Sequence, residues 1–202
     1  MNTLTVASRR PRRSARAGFG LAAGLAAAIL GGTLAARCSP PGTTSPLTAA
    51  FDDGRRVGST TAVWERTGDE RGFAGGARLA EPEIRFRYRV DVTNRTDDKV
   101  FVRLSDVALT TDNGLPLVTD SVRRECVLGP GDTPGVLTGE IWVPKGKVDT
   151  VAGLNLSRFA APLGERDLPP YRAWLLQGRP GNEAAVNTEI AAQAAAPPCA
   201  GH

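Results

Sequence analysis

The chain has 202 residues, one histidine, three cysteines, and 25 Lys plus Arg against 21 Asp plus Glu, for a net charge of +4 and a pI near 9.3. That length holds one ordinary domain with a leader and a tail. The positive excess lies wholly in the first 50 residues, where Arg9, Arg10, Arg12, Arg13, Arg16 and Arg37 face no carboxylate. From Phe51 onward acids outnumber bases by 21 to 19, which removes the electrostatic footprint of a nucleic-acid binder.

Arginine outnumbers lysine 22 to 3, the usage of a GC-rich bacterial genome. In that setting Asn94-Arg95-Thr96 and Asn155-Leu156-Ser157 are idle glycosylation patterns.

Residues 1–16 are polar and basic, and residues 17–36 (AGFGLAAGLAAAILGGTLAA) carry no charge, the order of a secretory signal. The run is long enough to cross a bilayer as a helix, but 13 of its 20 residues are Ala or Gly, so it makes a weak span. Residues 1–36 are therefore expected to be a cleaved signal peptide or a retained anchor helix. Either way the segment contacts the membrane at least transiently, and the body works outside the cytoplasm, secreted or anchored. Ser8-Arg9-Arg10 is similar to a twin-arginine signal, from which Pro11, Arg12 and Arg13 depart.

Cys38 follows the apolar run and precedes SPPGTTSP, and residues 37–56 read as a flexible tether. The placement resembles a bacterial lipoprotein, whose cysteine is acylated. Arg37 stands where such proteins carry Gly, Ala or Ser, and the competing reading is an ordinary cysteine beside a cleavage site. If Cys126 and Cys199 pair, Cys38 is left over for acylation; the other two pairings stay open.

Alternating apolar segments predict strands near 57–66, 84–93, 99–110, 115–119, 136–143, 148–157 and 171–177, an all-β antiparallel sandwich over residues 57–177. The clearest is EIRFRYRVDV. It puts Ile84, Phe86, Tyr88, Val90 and Val92 on the core face and Arg85, Arg87 and Arg89 on the other. The next strand carries Val100, Val102 and Leu104 on one face, and a hairpin through Asn94–Asp98 is the expected pairing. Asn113-Gly114 predicts a tight reversal with both residues at positive φ, and Leu137, Ile141 and Val143 face inward. Trp64, Trp142 and Trp174 are expected in the core of a sandwich this poor in aromatics. In the tail, residues 178–202, Asn182 is a candidate N-cap for a short alanine-rich helix with Val186 and Ile190 one turn apart.

The segments RYRVDVTNRTDDKVFV, LTTDNG, LGPGDTPG leading into GEIWVPKG, and VAGLNL, spread over residues 84–157, resemble an immunoglobulin-like (telokin-like) domain of unknown function found in exported bacterial lipoproteins and membrane-anchored proteins. The resemblance implies an immunoglobulin-like sandwich of about seven strands and an extracytoplasmic location; it brings no common activity or site.

Little catalytic chemistry is in reach. The one histidine is His202, a terminal residue ill suited to serve as a triad base, and zinc or copper sites want several His or Cys ligands. Glu81 and Glu83, and Asp97 and Asp98, are close in sequence but typical of solvated turns. The expectation is a non-enzymatic envelope module without a cofactor, binding a protein or envelope component. The alternative is a small-ligand or calcium-binding accessory protein, using Asp97, Asp98, Asp112 and Asn113 if the loops bring them together. Arg85, Arg87 and Arg89 are the candidate interaction face. The competing reading is a wet sheet face whose charges are shared with acids such as Asp106 or Glu140.

Overall fold

A computed structural model describes residues 41–199. The leader and Cys38 lie outside the described residues, and so does His202. Seven strands form two antiparallel sheets: β1 (Gly42–Ala49), β2 (Asp52–Ala74), β3 (Ala77–Asn94) and β6 (Gly135–Pro144) in the order β1-β2-β3-β6, and β4 (Val100–Thr110), β5 (Pro116–Leu128) and β7 (Gly153–Pro162) in the order β5-β4-β7. A 3₁₀ turn, Lys145–Thr150, joins β6 to β7, and helices α1 (Leu168–Gly178) and α2 (Glu183–Ala194) close the chain.

The core is built by period two. Ile84, Phe86, Tyr88, Val90 and Val92 of β3 are all buried, as are Leu137, Ile141 and Val143 of β6 facing Val100, Val102, Leu104, Val107 and Leu109 of β4. Each such fully buried side chain contributes about 1.5–3 kcal/mol of transfer free energy. The sheets also meet at one edge, where the Ala50 N–H donates to the Ala160 carbonyl at 2.8 Å.

Several expectations are corrected. Residues 42–49, read as tether, form β1, with Leu47 and Ala49 buried. Pro46 is tolerated because β1 is an edge strand of its sheet. The hairpin expected between residues 84–93 and 99–110 does not form: β3 pairs with β2 and β6, while β4 pairs with β5 and β7. The polar turn instead crosses between sheets, held by the buried Asn94. Its amide donates to the Asp98 and Gly129 carbonyls at 2.8 Å each, and its Oδ1 accepts from Thr96. At the second turn the chain reverses as expected but with different geometry. The Gly114 N–H bonds the Thr111 carbonyl and only Gly114 has positive φ, a type I turn closed by a left-handed glycine. The two-residue turn with both residues at positive φ lies elsewhere, at Gly75-Gly76 between β2 and β3.

Residues 171–177, expected as a strand, belong to α1. Pro169 and Pro170 sit in its first turn, where a missing N–H costs nothing, and Tyr171 and Leu175, one turn apart, are buried. The expected strand at 148–157 divides into the 3₁₀ turn, with Val148 buried, and β7. The tail helix forms as α2 after Asn182, with Val186 buried. The two helices cover the outer face of the β5-β4-β7 sheet with a second cluster of Phe101, Ala161, Tyr171, Leu175 and Val186, and the Tyr171 hydroxyl donates to Gln193 Oε1 at 2.9 Å. Cys126 and Cys199 form a disulfide with Cα atoms 4.9 Å apart. It fastens the tail along β5, where the Val127 N–H donates to Pro197 and the Cys199 N–H to Val127, both at 2.9 Å. Of the three tryptophans only Trp64 is in the core: Trp142 is half-buried on the outer sheet face, and Trp174 is 39% exposed on α1.

Candidate functional site

The arginines of β3 stand where the alternation puts them, on the outer face of the four-stranded sheet. Arg85 pairs with Asp69 and, at 3.0 Å, with Glu140; Arg87 lies 3.5 Å from Glu140; Arg89 lies 2.8 Å from Asp91. Asp69, from a bulged part of β2, takes the place expected of Asp106. Asp106 belongs to the other sheet, where it is the extra residue of a β-bulge, with φ 53°. Next to the row, Trp142 of β6 carries the Arg71 guanidinium 4.3 Å above its ring centre and that of Arg85 at 5.9 Å. The Thr67 hydroxyl, and then Arg85, hold the Asp69 carboxyl below its usual range. The face is a ladder of alternating charge with a half-buried indole in its middle.

Strand directions gather a second set of features at one end of the sandwich. Gly42 opposes Val63 and the Trp64 N–H donates to the Pro41 carbonyl, so the chain enters the sheet beside the middle of β2. From there β2 and β3 run on together, with β6 paired to β3 as far as Glu83, and continue as a two-stranded arm to Gly75-Gly76. Beyond Glu83, which pairs with Pro144, β3 has no strand at its outer edge, and beyond Val63 β2 has none either. The Thr111–Leu115 turn and the 3₁₀ turn lie at the same end, because β4 and β6 both finish there.

The base of the arm is braced. Lys145 Nζ donates to Glu70 Oε2 at 3.0 Å, the Gly146 N–H to Glu81, and Arg71 pairs with Glu83 at 2.7 Å, while Arg66 lies 3.7 Å from Asp149. Glu81 and Glu83, close in sequence, are thus engaged with separate partners. The tip, residues 72–80 (GFAGGARLA), has no carboxylate, and Phe73 is 64% exposed there. Sequence reasoning did not find this arm. Its turn, Gly75-Gly76, was the available signal, but Thr67–Gly72 lacks the apolar alternation that marks a strand.

The acids considered for calcium are kept apart. Asp97 and Asp98 precede β4 and Asp112 and Asn113 follow it, so the whole of an 11-residue strand, about 35 Å, separates them. Among the described residues no group of three or more His, Cys, Asp or Glu side chains is placed to hold a metal.

Compared with protein-family models, curated proteins and solved structures, the chain matches none of them.

Proposed function

We propose that the protein is an exported, non-enzymatic binding module of the bacterial cell envelope, built on an immunoglobulin-like sandwich, that meets its partner with the β2–β3 arm. Strand order supports the immunoglobulin-like reading. The sequences β2-β3-β6 and β5-β4-β7 correspond to strands A-B-E and C′-C-F of that sandwich, with β1 added outside A and with α1 following where strand G would come. Export is supported by the leader's three-part order and by a disulfide whose Cys126 is fully buried, since such bonds persist in oxidising compartments.

The arm is the observation that carries binding. A two-stranded ribbon with both edges unpaired and a phenylalanine exposed near its turn is a liability that a free-standing sandwich avoids. It is useful where another surface covers it. The acids at its base are occupied in pairing with Lys145, Arg71, Arg85 and a backbone N–H, which favours a structural role for them over acid–base chemistry.

A photo-crosslinking side chain placed at Phe73 or Leu79 in the full-length protein in cells is expected to give adducts. The same group at Glu165, exposed at the opposite end, is expected to give none. Absence of adducts from both arm positions overturns the reading.

A further inference from the structure

We infer that the tip of the β2–β3 arm, residues 72–80 with Phe73 foremost, docks into the headgroup region of a lipid bilayer. The inference rests on the proposed reading of residues 1–36 as membrane-directed, and it names the partner of the arm.

Direction comes first. β1 is antiparallel to β2 and starts opposite Val63, so the chain enters beside the middle of β2, at the end of β1 nearer the arm. α1 with α2 packs near the opposite end of the sandwich from the arm, over Phe101 and Ala161.

Reach comes second. From Val63 to Ala74 β2 advances eleven residues, two of them absorbed in the register shift between Arg66 and Glu70, with β6 alongside β3 until Glu83 and the free arm beyond it. The tip therefore stands about 30 Å beyond the chain's entry, at roughly 3.3 Å per residue. The tether between the apolar run and Gly42 is only Arg37 to Pro41, which fully extended covers at most about 22 Å. With Cys38 acylated the linking stretch shortens to Ser39–Pro41, about 14 Å. An arm directed along the strands outreaches its own tether, so a retained leader or an acylated Cys38 brings the tip to the bilayer surface.

Composition comes third. The tip has no carboxylate to be repelled by anionic lipid, and its small residues Gly72, Ala74, Gly75, Gly76 and Ala77 keep the ribbon thin. Phe73 pairs across the ribbon with Arg78, which sets an aromatic ring beside a cation. That pair suits an interface where the ring meets acyl chains and the guanidinium meets phosphate.

The test uses the full chain reconstituted into vesicles of phosphatidylethanolamine and phosphatidylglycerol, with and without brominated acyl chains, in which Phe73→Trp and Glu165→Trp are compared with the wild type. Both sites are exposed, so folding is retained, and the three native tryptophans give a constant background. The expected result is flotation of all three proteins with the vesicles and an added, blue-shifted emission from F73W that brominated lipid quenches at least twofold. The added emission of E165W should stay as in water. Flotation with an unshifted, unquenched F73W signal overturns the docking of the tip and leaves the leader reading standing. Failure to float overturns the membrane reading of the leader and the inference with it. A blue shift without bromine quenching puts the tip against protein, a second copy included, and also overturns it.

Discussion

Tyr88 of β3 donates its phenolic hydrogen to Asp120 of β5 at 2.7 Å, a polar link between two sheets that are otherwise joined mainly by apolar packing. Burial, and then the bond and charge of Asp120, push the phenol's pKa up. Opposite Tyr88 in β6 stands Gly139, where a β-carbon would overlap the phenol ring and oxygen. Tyr88→Phe is expected to cost about 2 kcal/mol in urea unfolding, the worth of a hydrogen bond to a charged acceptor. Because the folded pKa is raised, this contribution is fully present below about pH 10 and is lost as pH rises through the folded value. The gap between wild type and Tyr88→Phe should therefore narrow above pH 10. Gly139→Ala should cost about 2–3 kcal/mol by overpacking, without rescue by Tyr88→Phe, because the ring itself is in the way.

The Cys126–Cys199 bridge spans 73 residues of sequence, so on the loop-entropy argument it stabilises by about 4 kcal/mol. Cys199→Ala isolates the cross-link, since Cys126 stays to fill its buried site. The variant should unfold at lower denaturant by that amount and become insensitive to reductant, whereas wild type shifts on reduction. Equal midpoints for oxidised wild type and variant contradict this.

Arg55 of β2 holds Asp167, just ahead of α1, through two bonds, Nη2 to Oδ2 at 2.7 Å among them. The Asp167 side chain is only 4% exposed. Arg55→Met leaves that carboxylate buried without its cation. Such a loss costs several kcal/mol in a dry interior, reduced to about 2 kcal/mol because Arg55 is itself partly solvated. Hydrogen exchange should report it locally: α1 amides lose protection by more than those of β4.

Glu125 of β5 accepts from Arg123 at 2.5 and 3.0 Å and from Arg103 at 2.5 Å. The Arg123 bond, aided by Arg103 and opposed by burial, lowers its pKa. A depressed carboxylate contributes stability above its unfolded pKa and loses it as pH falls through the folded value. Glu125→Gln should therefore lower the melting temperature at pH 7 by an amount worth under about 1 kcal/mol, given solvent screening. The gap should close below about pH 4. A gap that stays constant from pH 7 to pH 3 rules this out.

Within the arginine row, Arg85 bridges Asp69 and Glu140 and lies over Trp142, whereas Arg87 has one longer contact. Single replacements by Ser should lower the melting temperature in the order Arg85 first, Arg87 least. Equal effects contradict the assignment of Arg85 to the centre of the ladder.

Much of the core was legible because period two is a local property. The residues expected inside β3 and β6 are inside. The same parity puts Trp142 outside, between Ile141 and Val143, against the expectation from composition. Parity prevails because the backbone fixes it, whereas an indole is tolerated on a face where Arg71 and Arg85 can cover it. β1 was hidden because Gly, Ser, Thr and Pro describe an edge strand and a tether equally well. α1 was hidden because the one-turn spacing of Tyr171 and Leu175 lies within a short, largely apolar segment, YRAWLLQ, that reads as a strand.

The sequence by itself determined the alternation, the uncharged run at residues 17–36, the number of cysteines and the tail helix, all of which depend on neighbours along the chain. Tertiary structure alone decided which strands pair, which cysteines join, which acid meets Arg85, and that β2 and β3 run on past β6 as an arm. A polar turn such as Asn94–Asp98 can close a hairpin or cross between sheets. The choice was made by bonds from Asn94 to Gly129, 35 residues away, and by the burial of β3 against β6. Such contacts are set by the free energy of the whole packed arrangement, and no local window of sequence contains them.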